Sequence, residues 1–526
     1  MATAALALQE DYWDNFELLE DDIEFIYNHL LELETPLTSE ELIVALVDDR
    51  VKREKSAIEK RRTSGGDLYK PKGTYKEDQT LVFPALNWQR GKVVGVRQGD
   101  NPEMGKFNVI RVELDDGDER EFAAKLKEHT LNDPPKIAQD DPSLNRENVL
   151  LNYTDLITVR LEEDLTTNPD FVRIAGKWFP RALLIDINVG HKNITEAVLD
   201  MNSGGPLPTS DLLEQIELET SLNPKLLEFS LDLALQEDER FDEVGPAGDV
   251  LWFLKRLEPA DVQETPRYLR YDEIDFDREV LTEQMLALEL DIDDELSPIS
   301  RDYSHMDSVD VCLIFPHLHS GTLPLSARVD HLFPTAYEAP RIRLQIVDGD
   351  SGEKFPAWVV RKHRYVYGLK DWYETHGLIP GSIIQVSRGE NPGEVIVNTN
   401  SRRSSRDWIK TVLVGSDGGV VYALLKQLVS GQVDDRMGIA IPDPDALDEV
   451  WKIKRRDQPP FEEVVVNNVR ELAKLNPQSH VHASELYAAV NVVRRCPPGP
   501  ILALLASRPW FTHVGDLHYR LSEEEI

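Results

Sequence analysis

Cysteine is almost missing from this chain: 526 residues hold two, Cys312 and Cys496. That is too few for a disulfide framework or a cysteine-built structural zinc site. No run of ~18 apolar residues occurs, so no membrane span is expected. The N-terminus, MATAALALQEDYWDNF, has neither a basic n-region nor a long apolar core, and so does not read as a signal peptide. A cytoplasmic location is expected. Also lacking are a Gly-x-x-x-x-Gly-Lys-Ser/Thr loop, a His-Glu-x-x-His pair and a Cys-x-x-Cys pair. Positive charge is scarce as well. Lys and Arg number 58 against 95 Asp and Glu, a net charge of −37. Such an excess opposes non-specific contact with phosphate and favours basic partners.

The charge is unevenly spread. Residues 1–50 sum to −13 and 201–300 to −19, while 51–100 sum to +6 and 351–410 to +4. Length allows about three to five domains. The pattern that recurs is a helix-like apolar segment, a break, and a second helix opening on a hydroxyl or alanine, serine and acids. It occurs at Thr38-Ser39-Glu40-Glu41-Leu42, Thr209-Ser210-Asp211-Leu212 and Ala483-Ser484-Glu485-Leu486. In the second and third copies a further helix and an aromatic hairpin follow, opening on Phe241-x-x-Val244-Gly245 and Phe511-x-x-Val514-Gly515. Three short helices closed by a hairpin is the layout of a winged helix.

The expected fold is therefore α+β and multidomain, with three winged-helix-like domains, a small β-barrel and a pseudobarrel. The expected boundaries are a first winged-helix-like domain at 1–80 and a small barrel at 81–131, where short strand candidates alternate with Gly/Asp/Asn turns. A second winged helix is placed at 150–260, entered through the strand-and-turn FVRIAGKWFP. An acidic linker at 261–308, a pseudobarrel at 309–415, a helical connector at 416–460 and a third winged helix at 461–526 complete the chain.

Two family resemblances attach to these segments. The second copy, through Asn223-Pro224, Arg240-Phe241, Val244-Gly245 and Trp252, resembles a HARE-type winged helix. That domain occurs in the delta subunit of bacterial RNA polymerase and in some chromatin and restriction proteins. The third copy is similar through Pro498, Phe511, Val514-Gly515 and Tyr519. The first lacks the Phe-x-x-Val-Gly signature and rests on layout and charge. The β-rich region resembles the DNA-binding pseudobarrel of plant transcription factors and of some restriction-enzyme recognition domains. The matching order is Leu323-Pro324, Phe333-Pro334, an Asp348-Gly349 hairpin with Trp358, Gly368-Leu369-x-x-Trp372-Tyr373 and Gly377-Leu378-x-Pro380-Gly381, with Ser382 where that family has Asp.

These resemblances imply DNA contact, and the basic runs show where. In a winged helix the third helix enters the major groove and the wing meets phosphates. In the first copy, Val51 and Ile58 set toward the core leave Arg53, Ser56 and Lys60 outward, flanked by Lys52, Lys55, Arg61 and Arg62; Lys70 and Lys72 sit on the expected wing. No Gly or Pro separates 39–62, so a single long, solvated helix is the alternative. The pseudobarrel offers Arg361, Lys362 and Arg364 beside Tyr365 and Tyr367, then Arg402, Arg403 and Arg406. The second copy's third helix carries more acids than bases and suits a protein partner.

Metal and catalytic readings are weak. His317-x-His319 and His480-x-His482 have ligand-compatible alternation without a neighbouring carboxylate or cysteine set in the sequence. The acids of ELDIDDELS (289–297) read as solvated surface. Asp348–Glu353 reads as a hairpin turn rather than a calcium loop. No cofactor, metal or catalytic residue is assigned. The expected function is a non-enzymatic DNA-binding protein of transcription or its regulation, partnered by double-stranded DNA. The alternatives are an acidic adaptor that binds RNA polymerase or another basic protein, and the recognition subunit of a restriction or defence system.

Overall fold

The computed structural model describes residues 11–63, 66–86, 89–99, 106–115, 117–132, 142–216, 223–389, 391, 393–399, 405–415, 419–452 and 459–522; the side chains of 58–63, 84 and 130 lie outside that set. The chain is mixed α+β, with six sheets among the described residues. It divides into two compact units, residues 1–185 with 221–229, and residues 186–220 with 230–526.

In the first unit the basic run is not a third helix. Ser39–Thr63 is one uninterrupted 25-residue helix, because no breaker falls inside it. The segment after it, expected as a wing, instead starts a barrel. Strand Asp67–Leu68 lies beside Thr80–Phe83, followed by Gln89–Gln98, Asn108–Leu114 and Glu119–Ala124 in chain order. The amides of Lys125 and Leu126 donate back to the carbonyls of Gly73 and Pro71, which draws the last strand toward the first. Tyr69, Phe83 and Phe122 stack inside with Val93 and Ile110. The small barrel thus begins at about residue 67, not 81.

The first copy is completed beyond the barrel. Helix Arg146–Thr167, capped by the Asn145 side chain accepting from the amides of Glu147 and Asn148, packs along Ser39–Thr63. Hairpin Phe171–Ile174 and Lys177–Pro180 follows, and its second strand pairs with Leu37–Thr38. FVRIAGKWFP therefore closes the first module and does not open the second. This hairpin opens on Phe171-x-x-Ile174-Ala175, without the Val-Gly of the other two copies, and stands about a hundred residues after helix Ser39–Thr63.

Two further modules repeat this order, the later of them wholly in the second unit. One runs Val189–Met201, Leu207–Pro208, Thr209–Leu213, Pro224–Gln236, Phe241–Glu243 and Leu251–Leu254. The other runs Phe461–Ala473, Val481–His482, Ala483–Val493, Pro498–Ser507, Phe511–Gly515 and His518–Leu521. In every copy the short strand before the second helix pairs with the last hairpin strand. The register is the same: Leu37 faces Trp178, Leu207 faces Trp252, and Val481 faces Tyr519. This aligns Ser39, Thr209 and Ala483, one residue off the sequence alignment for the first copy. Leu42, Leu212 and Leu486 then coincide in the core.

An eight-stranded sheet occupies 308–399, ordered Ser308–Cys312, Ser382–Arg388, Val395–Thr399, Ile342–Asp348, Lys354–Val360, Tyr365–Tyr367 and Thr322–Pro324, with Gln432–Val433 also on Ser382–Arg388. Ile342–Asp348 and Val395–Thr399 run parallel; the other pairs are antiparallel. Residues 405–414 do not belong to it. Ser405–Val414 forms a long hairpin with Val420–Val429, so the first part of the expected helical connector is β-structure; helix Pro444–Trp451 follows. Apolar β-branched residues and Tyr422 favour the extended chain there. Tyr422 anchors the hairpin to the third module, its hydroxyl donating to Asn468 Oδ1 at 2.9 Å.

The segment 261–308 is not a free linker. Helix Glu283–Ile292, capped by Thr282, buries Met285, and Leu281 and Met285 join the core of the third module. No helix among the described residues is long and apolar enough to cross a membrane.

Candidate functional site: charged faces and helix faces

The expected DNA-contact residues separate into anchored and outward ones. Arg53 is anchored: its guanidinium meets Asp22 and lies 2.5 Å from Asp49. Arg50, one turn earlier, is buried against Asp22 as well. Burial alone would raise the Asp22 carboxyl, but Arg50, the Leu19 amide and Arg53 outweigh it and hold it below its ordinary value. Lys52, Lys55 and Ser56 are exposed on the same helix. The side chains of Lys60, Arg61 and Arg62 lie outside the described residues. Lys70 and Lys72 sit on the loop that leads into the barrel, where the Lys72 amide donates to Asn132.

Arg361 is consumed by structure. Its Nη1 donates to Asp330 at 2.8 Å, and Nε and Nη2 donate to the carbonyls of Phe333 and Pro334. Lys362 is exposed; Arg364 is half-buried in a left-handed turn. Arg402 and Arg403 lie outside the described residues. Arg406 is exposed on the long hairpin, near Trp408, which is 65% exposed and has Lys426 Nζ 5.6 Å from its ring centre. Leu424 and Leu428 are exposed on the same hairpin face.

The winged-helix expectation puts the third helix of each module in a DNA groove, and none of the three helices is basic. Arg146–Thr167 carries two bases and five acids, Pro224–Gln236 one base and two acids, and Pro498–Ser507 no charge. Pro498–Ser507 is largely buried. On Arg146–Thr167, Ile157, Leu161 and Leu165 face the core, and Leu151 and Val159 face outward, 83% and 56% exposed, among Asp155 and Glu163. Sequence reading missed this face because residues from 150 onward were placed in the second winged helix and no helix was read before FVRIAGKWFP.

Two modules share an internal polar link. In the first, Trp178 Nε1 donates to Ser39 Oγ at 3.1 Å, and that hydroxyl donates to Glu162 at 2.6 Å. In the second, Trp252 Nε1 lies 3.2 Å from Thr209 Oγ1 and donates to Asp232 at 2.9 Å. Each set ties the last strand, the second helix and the third helix together. In the third module Ala483 and Tyr519 occupy the corresponding places, and packing is apolar.

The acids of 289–297 are largely buried, which corrects their expected solvation. Arg495, fully buried, donates at 2.7 Å to both Asp294 and Glu295. Burial would raise Glu295, but Arg495 and His317 outweigh it and hold its carboxyl far below the ordinary range. Beside them lies a cavity of about 300 Å3 lined by Asp291, Asp293, Glu295, Asp310, Cys312 and Arg328, among others. Burial, then Asp434 and Asp291, push the Cys312 thiol up, opposite to what a nucleophilic thiolate needs.

Carboxylates also reach both histidine pairs from distant sequence. His319 lies 3.2 Å from Asp448, and His482 groups with Asp516 and His518. A second three-residue grouping, Asp348, Asp350 and His376, sits at the hairpin turn.

In comparisons with known protein families, curated proteins and solved structures, the chain matched none.

Proposed function

We propose that this chain is a non-enzymatic, multidomain adaptor built on three winged-helix-type modules and a pseudobarrel-type sheet, and that it engages a protein partner with a basic surface. The observation that carries this reading is the outward face of Arg146–Thr167. It presents Leu151 and Val159 among acids, at the position where a DNA reader carries bases. An apolar helical stripe with acidic flanks suits an apolar groove with a basic rim. The delta-subunit resemblance makes RNA polymerase the first partner to test. A second reading, duplex DNA binding, is favoured by the exposed Lys52, Lys55 and Ser56 on one helix, and by Arg406 near the Trp408–Lys426 pair.

Two measurements on the full chain separate them: gel filtration with purified bacterial RNA polymerase core, and fluorescence anisotropy with random duplex DNA across a salt series. The adaptor reading expects a complex with polymerase that Leu151→Asp/Val159→Asp abolishes, both sites being exposed. It expects DNA binding no tighter than the non-specific range of ~10−4–10−6 M. Tight, steeply salt-dependent DNA binding lost in Lys52→Glu/Lys55→Glu, with no polymerase complex, would replace it with the DNA reading.

A further inference from the structure

We infer that His482, Asp516 and His518 form a binding site for a divalent transition-metal ion of the zinc class, at the hairpin end of the third module. Ligand atoms of the three residues lie within 4.8 Å of one another. The fold places them there through strand pairing: His482 ends the short strand Val481–His482 and lies directly across from His518. Asp516 stands in the hairpin turn between the last two strands, where it and Leu517 both adopt positive φ, 46° and 55°. That turn aims the carboxylate back over the histidine pair. Their imidazoles are 4.9 Å apart, centre to centre.

The hydrogen bonding sets the His518 ring in the form that binds metal and gives His482 a partner for that form. At His482, Arg436 Nη1 lies 2.9 Å from Nε2, and Nδ1 accepts from the Ser484 amide at 3.1 Å. Ligation through Nε2 puts the ring proton on Nδ1, where Ser484 Oγ, 2.7 Å away, takes the place of that amide as its partner. In His518, Nδ1 lies 3.0 Å from the carbonyl of Asp516; a carbonyl only accepts, so Nδ1 carries the proton and Nε2 the lone pair. His518 thus has one nitrogen held by a neighbour and the other presented as a ligand, and a metal-bound His482 would have the same outer support from Ser484 once Arg436 withdraws from Nε2. Two imidazoles and a carboxylate suit zinc, with the fourth tetrahedral position left to water.

A cation already stands at the convergence of these groups. The guanidinium of Arg436, half-exposed, touches His482 and lies 3.6 Å from Asp516. Its place marks the negative potential and lone-pair density that a metal ion would use. Binding would displace Arg436 into solvent and clip the last hairpin to the strand before the second helix. This inference does not depend on the adaptor reading.

The test is calorimetric titration of Zn2+ into the full chain, with Co2+ absorption as the spectroscopic check. One equivalent should bind, and Co2+ should develop the visible bands of four-coordinate nitrogen and oxygen ligation. His518→Ala and Asp516→Ala, at outer positions whose loss should leave the metal-free protein's thermal midpoint unchanged, should each weaken binding by about tenfold or more. Arg436→Ala should strengthen it, because a competing cation has been removed. Absence of binding, or binding that His518→Ala leaves unaltered, would overturn the inference. The latter would move the ion to another grouping, with Asp348, Asp350 and His376 the first to examine.

Discussion

The first and third modules share an element order and a strand register but not a way of holding themselves together. In the first, a tryptophan, a serine and a glutamate connect the closing strand to both helices behind it. In the third, alanine and tyrosine take two of those places, and a contiguous apolar core does the work. The buried polarity of the third module lies elsewhere, in Arg495 against Asp294 and Glu295. One fold therefore tolerates two solutions: a small hydrogen-bonded link where the module stands beside an inserted barrel, and apolar packing where it has a helix, a hairpin and a long acidic segment to pack against. The second module follows the first, with Trp252, Thr209 and Asp232.

The largest break in this comparison should come from Arg495→Met. It leaves two buried carboxylates without their cation, and removing one partner of a buried pair costs about 3–5 kcal/mol. Chemical denaturation should show that loss. A companion variant, Asp294→Asn/Glu295→Gln/Arg495→Met, should recover much of it, since the charges go together. Next in size is Asp232→Ala, which removes the acceptor shared by the buried Trp252 indole N–H and the Thr209 hydroxyl; about 1–3 kcal/mol is expected from the same assay. Ser39→Ala tests the first module's version, at about 1 kcal/mol. If Ser39→Ala were silent, the polar link would be incidental and the first module would resemble the third.

The smallest effect sharpens a different contrast. The second module is fastened to the eight-stranded sheet: Phe253 meets Trp358 edge-on with ring centres 5.1 Å apart, and Arg341 contacts Asp242 and Glu258. Burial, then the Asp242 carboxylate, push Glu258 up to about 8. A carboxyl raised in the folded state favours folding while protonated. Its contribution is complete below the ordinary glutamate value, ~4.3, and is lost as pH rises through about 8. Glu258→Gln should remove that slope, so the thermal midpoint of the variant should fall less than that of the parent between pH 6 and pH 8.5. Equal slopes would show that Glu258 is ionised throughout.

Much of the fold was legible in local pattern. The third module was placed within a few residues because its helices, hairpin and Phe511-x-x-Val514-Gly515 opening are contiguous. The second module's helices and hairpin fall inside the range expected for it, but that range opened too early, at 150. The first was misplaced for a physical reason. Its helix Ser39–Thr63 runs directly into a barrel, and hydrophobic periodicity cannot say that a module resumes after an independent domain closes. The hairpin strand Val420–Val429 was read as helical because a short apolar run without clear alternation is ambiguous between the two. The acids at 294 and 295 were read as solvated because their cation, Arg495, is some two hundred residues away.

By itself, then, the amino-acid sequence determined the mixed α+β character, the threefold motif, the turns and caps, and the acidic balance, since these depend on side chains a few positions apart. The tertiary structure decided which hairpin closes which module, that Arg50, Arg53 and Arg361 are internal anchors while Lys52 and Lys55 stay outward, and that Asp516 and His518 meet His482. Those outcomes depend on strand register and on which charges share a buried space. Both are set by the packing of segments distant in the chain, because a buried ion finds its counterion by proximity in space rather than in sequence.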